Sequence, residues 1–246
     1  MELAFITQVI IGIIIIFAAG MIQGITSFGF SLLAVPLLSI FLPFKIVVPM
    51  LIIYSLFLNS IILYNVRKYV NLKRIYILII AGIVGTFFGT YALESLDDSI
   101  LKIIVGSIVT LSAIAFIKGY RMPVKNEKLS YLPVGLLSGL LNGSASLSGP
   151  PIILFLKNQG TEKQIFRASL TSYFWALNIS TIPIQVARGL IDKSVITYTI
   201  YLLPGLVIGV LAGIKLGNKV DESLFKKLTL GLILFMGLLS IISGLR

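Results

Sequence analysis

The chain has 246 residues, of which 57% are hydrophobic and only 12% are charged, and its mean hydropathy is +1.05. This composition excludes an ordinary soluble domain and is typical of an integral membrane protein. The absence of cysteine and histidine excludes disulfides, thiol chemistry, imidazole bases and the usual zinc and haem ligands, so we predict no cofactor and no metal site. The net charge of +11 lies in short loops, where it determines membrane topology, and no nucleic-acid partner is expected.

Apolar segments follow one another along the chain and predict a single all-α membrane domain over residues 1–246. No basic region precedes the first segment and no small-residue cleavage site follows it, so we expect the first helix to be retained. Three segments in each half are long enough to cross a bilayer core of about 30 Å. The others form two pairs, each interrupted by a polar, glycine-containing tip. The segments are 3–22, 30–43, 46–66, 75–93, 99–118, 131–141, 147–156, 166–187, 194–214 and 224–245.

The second half of the chain repeats the first, which predicts internal repeats over residues 1–121 and 130–246. At a separation of 115 residues, the matching positions are Gly20, Gly24, Ser31 and Pro36 with Gly135, Gly139, Ser146 and Pro151. At a separation of 124, they are Gly85, Gly89, Asp97, Ser99 and Lys102 with Gly209, Gly213, Asp221, Ser223 and Lys226. Tyr54 also matches Tyr173, and Asn59 matches Asn178. Broken hydrophobic segments at corresponding places in two halves are typical of a transporter's binding site.

The tips, Gln23 to Gly29 and Asn142 to Ser146, predict re-entrant helical hairpins. The arms of the second pair have roughly 10 to 12 residues, about 15 to 18 Å as helix, and reach only the middle of the bilayer. If both pairs return to their starting side, the Lys and Arg residues divide 15 to 5 between the two faces, whereas single crossings give 11 to 9. The positive-inside rule therefore favours hairpins, a cytoplasmic basic face and both termini outside. One hairpin plus three transmembrane helices per half makes the repeats inverted.

The two tips are expected to meet near the midplane and to form an anion site. Each tip precedes a helical arm, whose first turn offers unpaired backbone N–H groups and the positive end of the helix dipole. N-capping or close helix packing is the alternative explanation for any one of these residues. The candidate substrate-binding residues are Gln23, Thr26, Ser27, Gly29, Asn142, Gly143, Ser144 and Ser146 at the tips, with Asn59 and Asn178 in the first full span of each half.

Charged side chains are absent from the centres of the predicted spans. Every Asp and Glu lies at a terminus or in a loop, so no carboxylate relay crosses the membrane. A coupling proton would then be carried by the protonated substrate. A coupling sodium ion would be coordinated by backbone carbonyls at the broken helices. Lys45 and Arg167 lie just before the first full span of each half, where they either attract an anion or extend to the interface.

The pattern Gly20-x-x-x-Gly24-x-x-Ser27-x-Gly29 up to Pro36 is echoed from Gly135 and Gly139 through Ser144 to Pro151. Together these motifs resemble the sulfite exporter TauE/SafE family of prokaryotic membrane transporters over essentially the whole chain. The resemblance implies a multi-span carrier in the prokaryotic cytoplasmic membrane for a small anion such as sulfite, sulfoacetate or another organosulfonate. Phe28 and Phe30 depart from the usual glycine-rich first tip of that family.

These observations predict a secondary transporter that works by alternating access, with a small anion bound between the tips. Its partners are the anion, the lipid bilayer and a coupling proton or sodium ion, and a homo-oligomer is left open. An anion channel with the tips as its filter is the alternative, because mid-membrane hairpins also build pores. An enzyme is not predicted, because a Ser–His dyad is impossible without histidine.

Overall fold

A computed structural model describes residues 2–119, 127–159, 162–216 and 234–245, except 236 and 243. Within these ranges the chain is helical apart from short connections, and it contains no strand, which confirms the predicted all-α membrane protein. The helices are α1 (Glu2–Thr26), α2 (Phe30–Leu38), α3 (Phe44–Val66), α4 (Leu72–Ser95), α5 (Asp98–Ile117), α6 (Glu127–Ala145), α7 (Gly149–Asn158), α8 (Lys163–Ala187) and α9 (Lys193–Leu216). A 3-10 turn, Arg67–Tyr69, follows α3.

Five of the described helices are long and apolar enough to cross a membrane. The apolar stretches are Phe5–Thr26, Phe44–Tyr69, Ile75–Ser95, Asp98–Ala115 and Lys193–Leu216. The first of them is α1, which the sequence placed in a broken pair. α8 was predicted to span and has 25 residues, but its many polar side chains keep it out of this set. The last predicted span, 224–245, lies mostly outside the described residues.

The two helix breaks are shorter than the predicted tips. α1 continues through Thr26 and α6 through Ala145, so only Ser27–Gly29 and Ser146–Ser148 interrupt the helices. The predicted arm at 131–141 was too short, because polar residues after it remain helical: the Ser144 hydroxyl, for example, donates to a carbonyl of its own helix at 2.8 Å. With 19 residues, α6 is about 29 Å long, compared with the roughly 15 to 18 Å predicted for that arm.

The backbones of α1 and α9 touch each other. A methyl group on Gly209 would collide with the carbonyl of Phe17, and one on Gly213 would collide with the carbonyl of Met21. Glycine removes this collision and lets the two helices approach closely, as small residues commonly do in membrane proteins.

α4 and α6 make the same contact. Methyl groups on Gly85 and Gly89 would collide with the carbonyls of Leu136 and Leu140, respectively. The two glycines stand 124 residues before their counterparts on α9, which is the predicted separation. The carbonyls of Leu136 and Leu140, however, lie 119 residues after the corresponding carbonyls of α1, those of Phe17 and Met21.

The separation of 119 residues also relates the two breaks. Ser27 and Ser146 have left-handed backbones, with φ of 67° and 57°, and they are the only non-glycine residues in the described ranges with positive φ. The predicted separation of 115 residues is therefore displaced by one helical turn, so that Gly20 corresponds to Gly139 instead of Gly135. Glycine occurs at every fourth position from 135 to 143, so the spacing alone fits both registers. The position of the backbone break decides between them.

Candidate functional site at the two helix breaks

The two breaks meet inside the helix bundle. The Ser31 hydroxyl of α2 lies 3.1 Å from the Ser146 hydroxyl of the second break. The contact borders a cavity whose empty space, including the part that opens to solvent, is about 390 Å³. Its lining residues are Gln23, Phe28, Gly29, Phe30, Ser31, Leu32, Ser55, Asn59, Asn142, Ser146, Leu147, Ser148, Gly149, Phe174 and Asn178. None of these side chains is charged.

Two amide pairs flank the cavity. Gln23 of α1 donates from Nε2 to Asn59 Oδ1 of α3 at 3.5 Å, and Asn142 of α6 donates from Nδ2 to Asn178 Oδ1 of α8 at 3.4 Å. The partners stand 36 residues apart in both pairs. All four side chains are buried, where an amide is stable only with hydrogen-bond partners. Each pair therefore fixes a broken helix to the long helix beside it and turns polar groups toward the cavity.

The first break supplies backbone donors. Gln23 Oε1 accepts a hydrogen bond of 3.1 Å from the Phe30 amide, which satisfies the first N–H of α2. Within the described residues, the next two amides, of Ser31 and Leu32, have no hydrogen-bond partner. Both belong to the first turn of α2, where amide N–H groups and the helix dipole present positive partial charge.

The second break supplies fewer backbone donors. α7 begins with Gly149-Pro150-Pro151, and proline has no N–H, so Gly149 alone offers an amide among these three positions. Among its polar side chains, Ser146 lines the cavity with its hydroxyl. Asn142 also lines it, but Nδ2 of Asn142 already donates to Asn178 Oδ1 and, at 2.9 Å, to Thr181 Oγ1. The prediction that each arm offers unpaired backbone N–H groups therefore applies more fully to α2 than to α7, where two prolines remove them.

Six of the predicted substrate-binding residues line the cavity. They are Gln23, Gly29, Asn59, Asn142, Ser146 and Asn178. The remaining four, Thr26, Ser27, Gly143 and Ser144, lie beside it and are not among the lining residues.

Three of those four residues support the helices around the cavity. Thr26 Oγ1 donates to the Ile22 carbonyl at 2.8 Å in the last turn of α1. Gly143 lies against α4, where a methyl group would collide with the Thr86 carbonyl. The Ser144 hydroxyl is bonded within α6, as described above. Each is explained by helix packing or by local hydrogen bonding, which is the alternative that the sequence left open.

The fourth residue, Ser27, connects the first break to a positive charge. Arg167 of α8 donates from Nε to Ser27 Oγ at 2.7 Å. Arg167 is partly buried, and no carboxylate of the described residues pairs with it. This contact leaves the four N–H groups of its terminal nitrogens for other acceptors. Lys45, considered with Arg167 in the sequence, instead donates to the Glu94 carbonyl at the exposed end of α4.

The lining residues that the sequence analysis missed follow two patterns. They are Phe28, Phe30, Ser31, Leu32, Leu147, Ser148 and Gly149 at the breaks, with Ser55 and Phe174 on the long helices. Phe28 lies within the first predicted tip, and the other six residues at the breaks continue directly from the two tips. Ser55 and Phe174 each lie four residues before a cavity asparagine, on the same helix face, so helical periodicity could have indicated them.

The chemical character of the cavity favours an anion. Its polar groups are hydroxyls, amides and the start of α2, and it has no carboxylate to hold a cation. In the described part of the chain, no group of acidic side chains is arranged as a metal site.

Comparison with known proteins places the chain in a family. A family model, sulfite exporter TauE/SafE, matches residues 12–240 and so includes both breaks and the helices between them. A search of the curated proteins and a search of the solved structures each found no match. The matched family consists of membrane transporters for sulfite and related anions, and it is not a family of enzymes. The chain therefore belongs to the sulfite exporter TauE/SafE family.

Proposed function

We propose that this protein carries sulfite or a small organosulfonate across the prokaryotic cytoplasmic membrane and binds it in the cavity between the two breaks. The observation that carries this proposal is the meeting of the breaks, through Ser31 and Ser146, at a cavity with hydrogen-bond donors and no carboxylate. The family supports the class of substrate, and the cavity supports the location of the site.

An oxyanion in this cavity would be held by several donors acting together. The amides of Ser31 and Leu32 lie at the positive end of α2, where a negative group is stabilised by about 0.3 to 2 kcal/mol. The Ser146 hydroxyl approaches from the other break, and the Asn142 amide lies one turn before it. If donors from both halves bind one anion, the two breaks must lie next to each other.

We propose alternating access between two inverted repeats as the mechanism. The first helix of each half packs against the fourth helix of the other, α1 against α9 and α6 against α4, with equivalent glycine contacts. Such reciprocal packing is what a two-fold relation between inverted halves produces, and it supports movement of one half against the other around a central site. The hydrogen bond between Ser31 and Ser146 would then break and re-form as the halves move.

The basic face is proposed to be cytoplasmic, with both termini outside. Arg188 pairs with Glu94 at 2.6 Å, which brings the C-terminal ends of α8 and α4 together. The starts of both helices therefore lie at the opposite face, where Asn71 is exposed just before α4. In intact cells, a cysteine in place of Asn71 is expected to resist an impermeant thiol reagent, and labelling from outside would reverse the orientation.

Flux in proteoliposomes tests the proposed substrate and site together. Purified protein is expected to carry radiolabelled sulfite with saturation and counter-flow, and a small organosulfonate is expected to compete. Flux without saturation or counter-flow would favour the channel alternative. Folded protein without flux of any of these anions would reject the substrate class.

Asn142→Asp is the decisive variant. It keeps the side-chain shape but introduces a negative charge beside the anion, which at about 4 Å and an effective dielectric of 20 costs about 4 kcal/mol, roughly a thousandfold in affinity. Leucine is a poorer choice because an apolar side chain makes no hydrogen bond with Asn178 or Thr181, whereas the carboxylate accepts one from the Asn178 amide once that amide rotates. Asn65→Asp, the same change at an exposed position of α3, is the control and should retain flux. Equal flux in the two variants would place the site elsewhere.

A further inference from the structure

One face of α8 carries a line of polar side chains that extends beyond the cavity in both directions. Its members are Arg167, Thr171, Asn178, Thr181 and Gln185, with Phe174 among them. Their alternating spacing of four and three residues keeps all of them within about 40° of one line along the helix. The 18 helical steps from Arg167 to Gln185 cover about 27 Å, close to the roughly 30 Å of the hydrocarbon core.

Contacts show that this face points toward the breaks. Arg167 donates to Ser27 at the first break. Phe174 and Asn178 line the central cavity. Thr181 accepts a hydrogen bond from α6 at 2.9 Å. The polar line therefore follows the surface along which α8 meets the broken helices.

The other two polar members are buried without partners. Gln185 is 0% exposed, and neither the nitrogen nor the oxygen of its side-chain amide has a hydrogen bond. Thr171 is also 0% exposed, and its hydroxyl has no hydrogen bond. A buried polar group without a partner costs about 1 to 3 kcal/mol, and native proteins satisfy nearly all such groups with protein atoms or water. Unpartnered groups above and below the cavity give this face of α8 polar atoms that water or a ligand can satisfy.

The corresponding face of α3 is not polar along its length. The positions 119 residues earlier hold Val48, Ile52, Ser55, Asn59, Ile62 and Val66. Only Ser55 and Asn59 are polar, and both line the cavity. Both halves thus contribute to the cavity, but α8 alone continues from it toward both membrane faces.

We propose that this face of α8 is the translocation path, along which a small oxyanion and its water pass Arg167 and Thr171 on one side of the cavity and Gln185 on the other. The inference rests on the proposed function and adds the route to it. Arg167 is the first binding station on its side, because its free N–H groups suit two oxygens of an oxyanion at once. Gln185 is neutral, so the anion binds more weakly on the opposite side.

Cysteine accessibility tests the path without using the substrate, because the chain contains no cysteine. Thr171→Cys and Gln185→Cys are treated with a sulfonate-bearing, impermeant methanethiosulfonate. Each is expected to react at least about tenfold faster than Ser169→Cys, which is also buried but lies on the opposite side of α8. Thr171→Cys should react from the face that labels Asn71→Cys, and Gln185→Cys from the other face. Reaction of both no faster than Ser169→Cys overturns the path.

The half-saturating sulfite concentration, measured separately for entry from each face, gives a second test. It can be used even if a cysteine variant does not fold. Arg167→Gln is expected to raise the half-saturating sulfite concentration about tenfold for entry from its own face, with a much smaller change from the other, and Arg167→Lys should recover part of the loss. Equal changes from both faces overturn the path. The labelling pattern without sulfite flux would retain the path and reject the substrate. Sulfite flux without the pattern would reject the path and retain the proposed function.

Discussion

The two helix breaks share their backbone and differ in their hydrogen-bond donors. Each begins at a serine with positive φ, Ser27 or Ser146, and in each an amide four residues earlier bonds to an asparagine of the neighbouring long helix. After the break, however, α2 begins with residues that keep their N–H groups, whereas α7 begins with glycine and two prolines. Arg167 approaches the first break, and position 48, its counterpart 119 residues earlier, is a buried valine.

The two breaks share the residues that position the cavity, and they differ in the hydrogen-bond donors that would bind a substrate. The left-handed serine and the amide pair stop the helix and orient the chain, so they recur in both halves. The donors are free to differ because they take no part in that geometry. The first break therefore offers backbone amides and a nearby charge, and the second offers side-chain groups. A substrate between them would be held asymmetrically, although the two breaks share their left-handed serine and their amide pair.

Valine at the two serines tests the shared backbone and should have the largest effect. A β-branched residue disfavours the left-handed conformation by roughly 1 to 2 kcal/mol, and loss of a buried hydroxyl partner adds about 1 to 3. Ser27→Val and Ser146→Val should each lower the free energy of unfolding in detergent by about 2 to 5 kcal/mol. The matched variants Ser27→Gly and Ser146→Gly should lose less, because glycine accepts positive φ. Destabilisation at one break alone would contradict a common backbone role.

The fold could be predicted from the sequence because its determinants are local. Apolar length identifies helices, and glycine-rich polar interruptions identify broken ones. The exact register was wrong because the glycines of α6 recur at every fourth position, so that shifting by one turn matches glycine with glycine again. The limits of the breaks were also too wide, because Gln23 and Asn142 remain helical when their side chains find partners on α3 and α8.

The candidate site was predicted less completely because part of it depends on distant contacts. Polar residues at the tips are visible in the sequence, and four of the eight tip candidates line the cavity. The contact between Arg167 and Ser27 joins residues 140 positions apart, and no local pattern indicates it. The difference between the arms was visible in Pro150 and Pro151, whose missing N–H groups follow from their identity alone.

A smaller effect is expected from changing the apolar wall of the first break. Phe28 lines the cavity, and the corresponding position of the second break is Leu147. Phe28→Ala should enlarge the cavity and improve competition by sulfoacetate against labelled sulfite by roughly tenfold, since a few carbon atoms in a pocket change discrimination by about 1 to 3 kcal/mol. The measurement is the concentration that halves sulfite uptake. Phe87→Ala, at an exposed phenylalanine of α4, is the control. Unchanged competition would mean that Phe28 does not limit substrate size.

The smallest predicted effect comes from returning a donor to the second break. Pro150→Ala gives the first turn of α7 an additional N–H near the positive end of the helix, while the helix itself tolerates alanine well. One such donor stabilises a nearby anion by roughly 0.3 to 1 kcal/mol, so the half-saturating sulfite concentration should fall about two- to fivefold. Leu32→Pro removes an amide from the first turn of α2 and should shift the same concentration upward. If only the α2 variant changes it, the anion is held by the first break, and the second break contributes side chains alone.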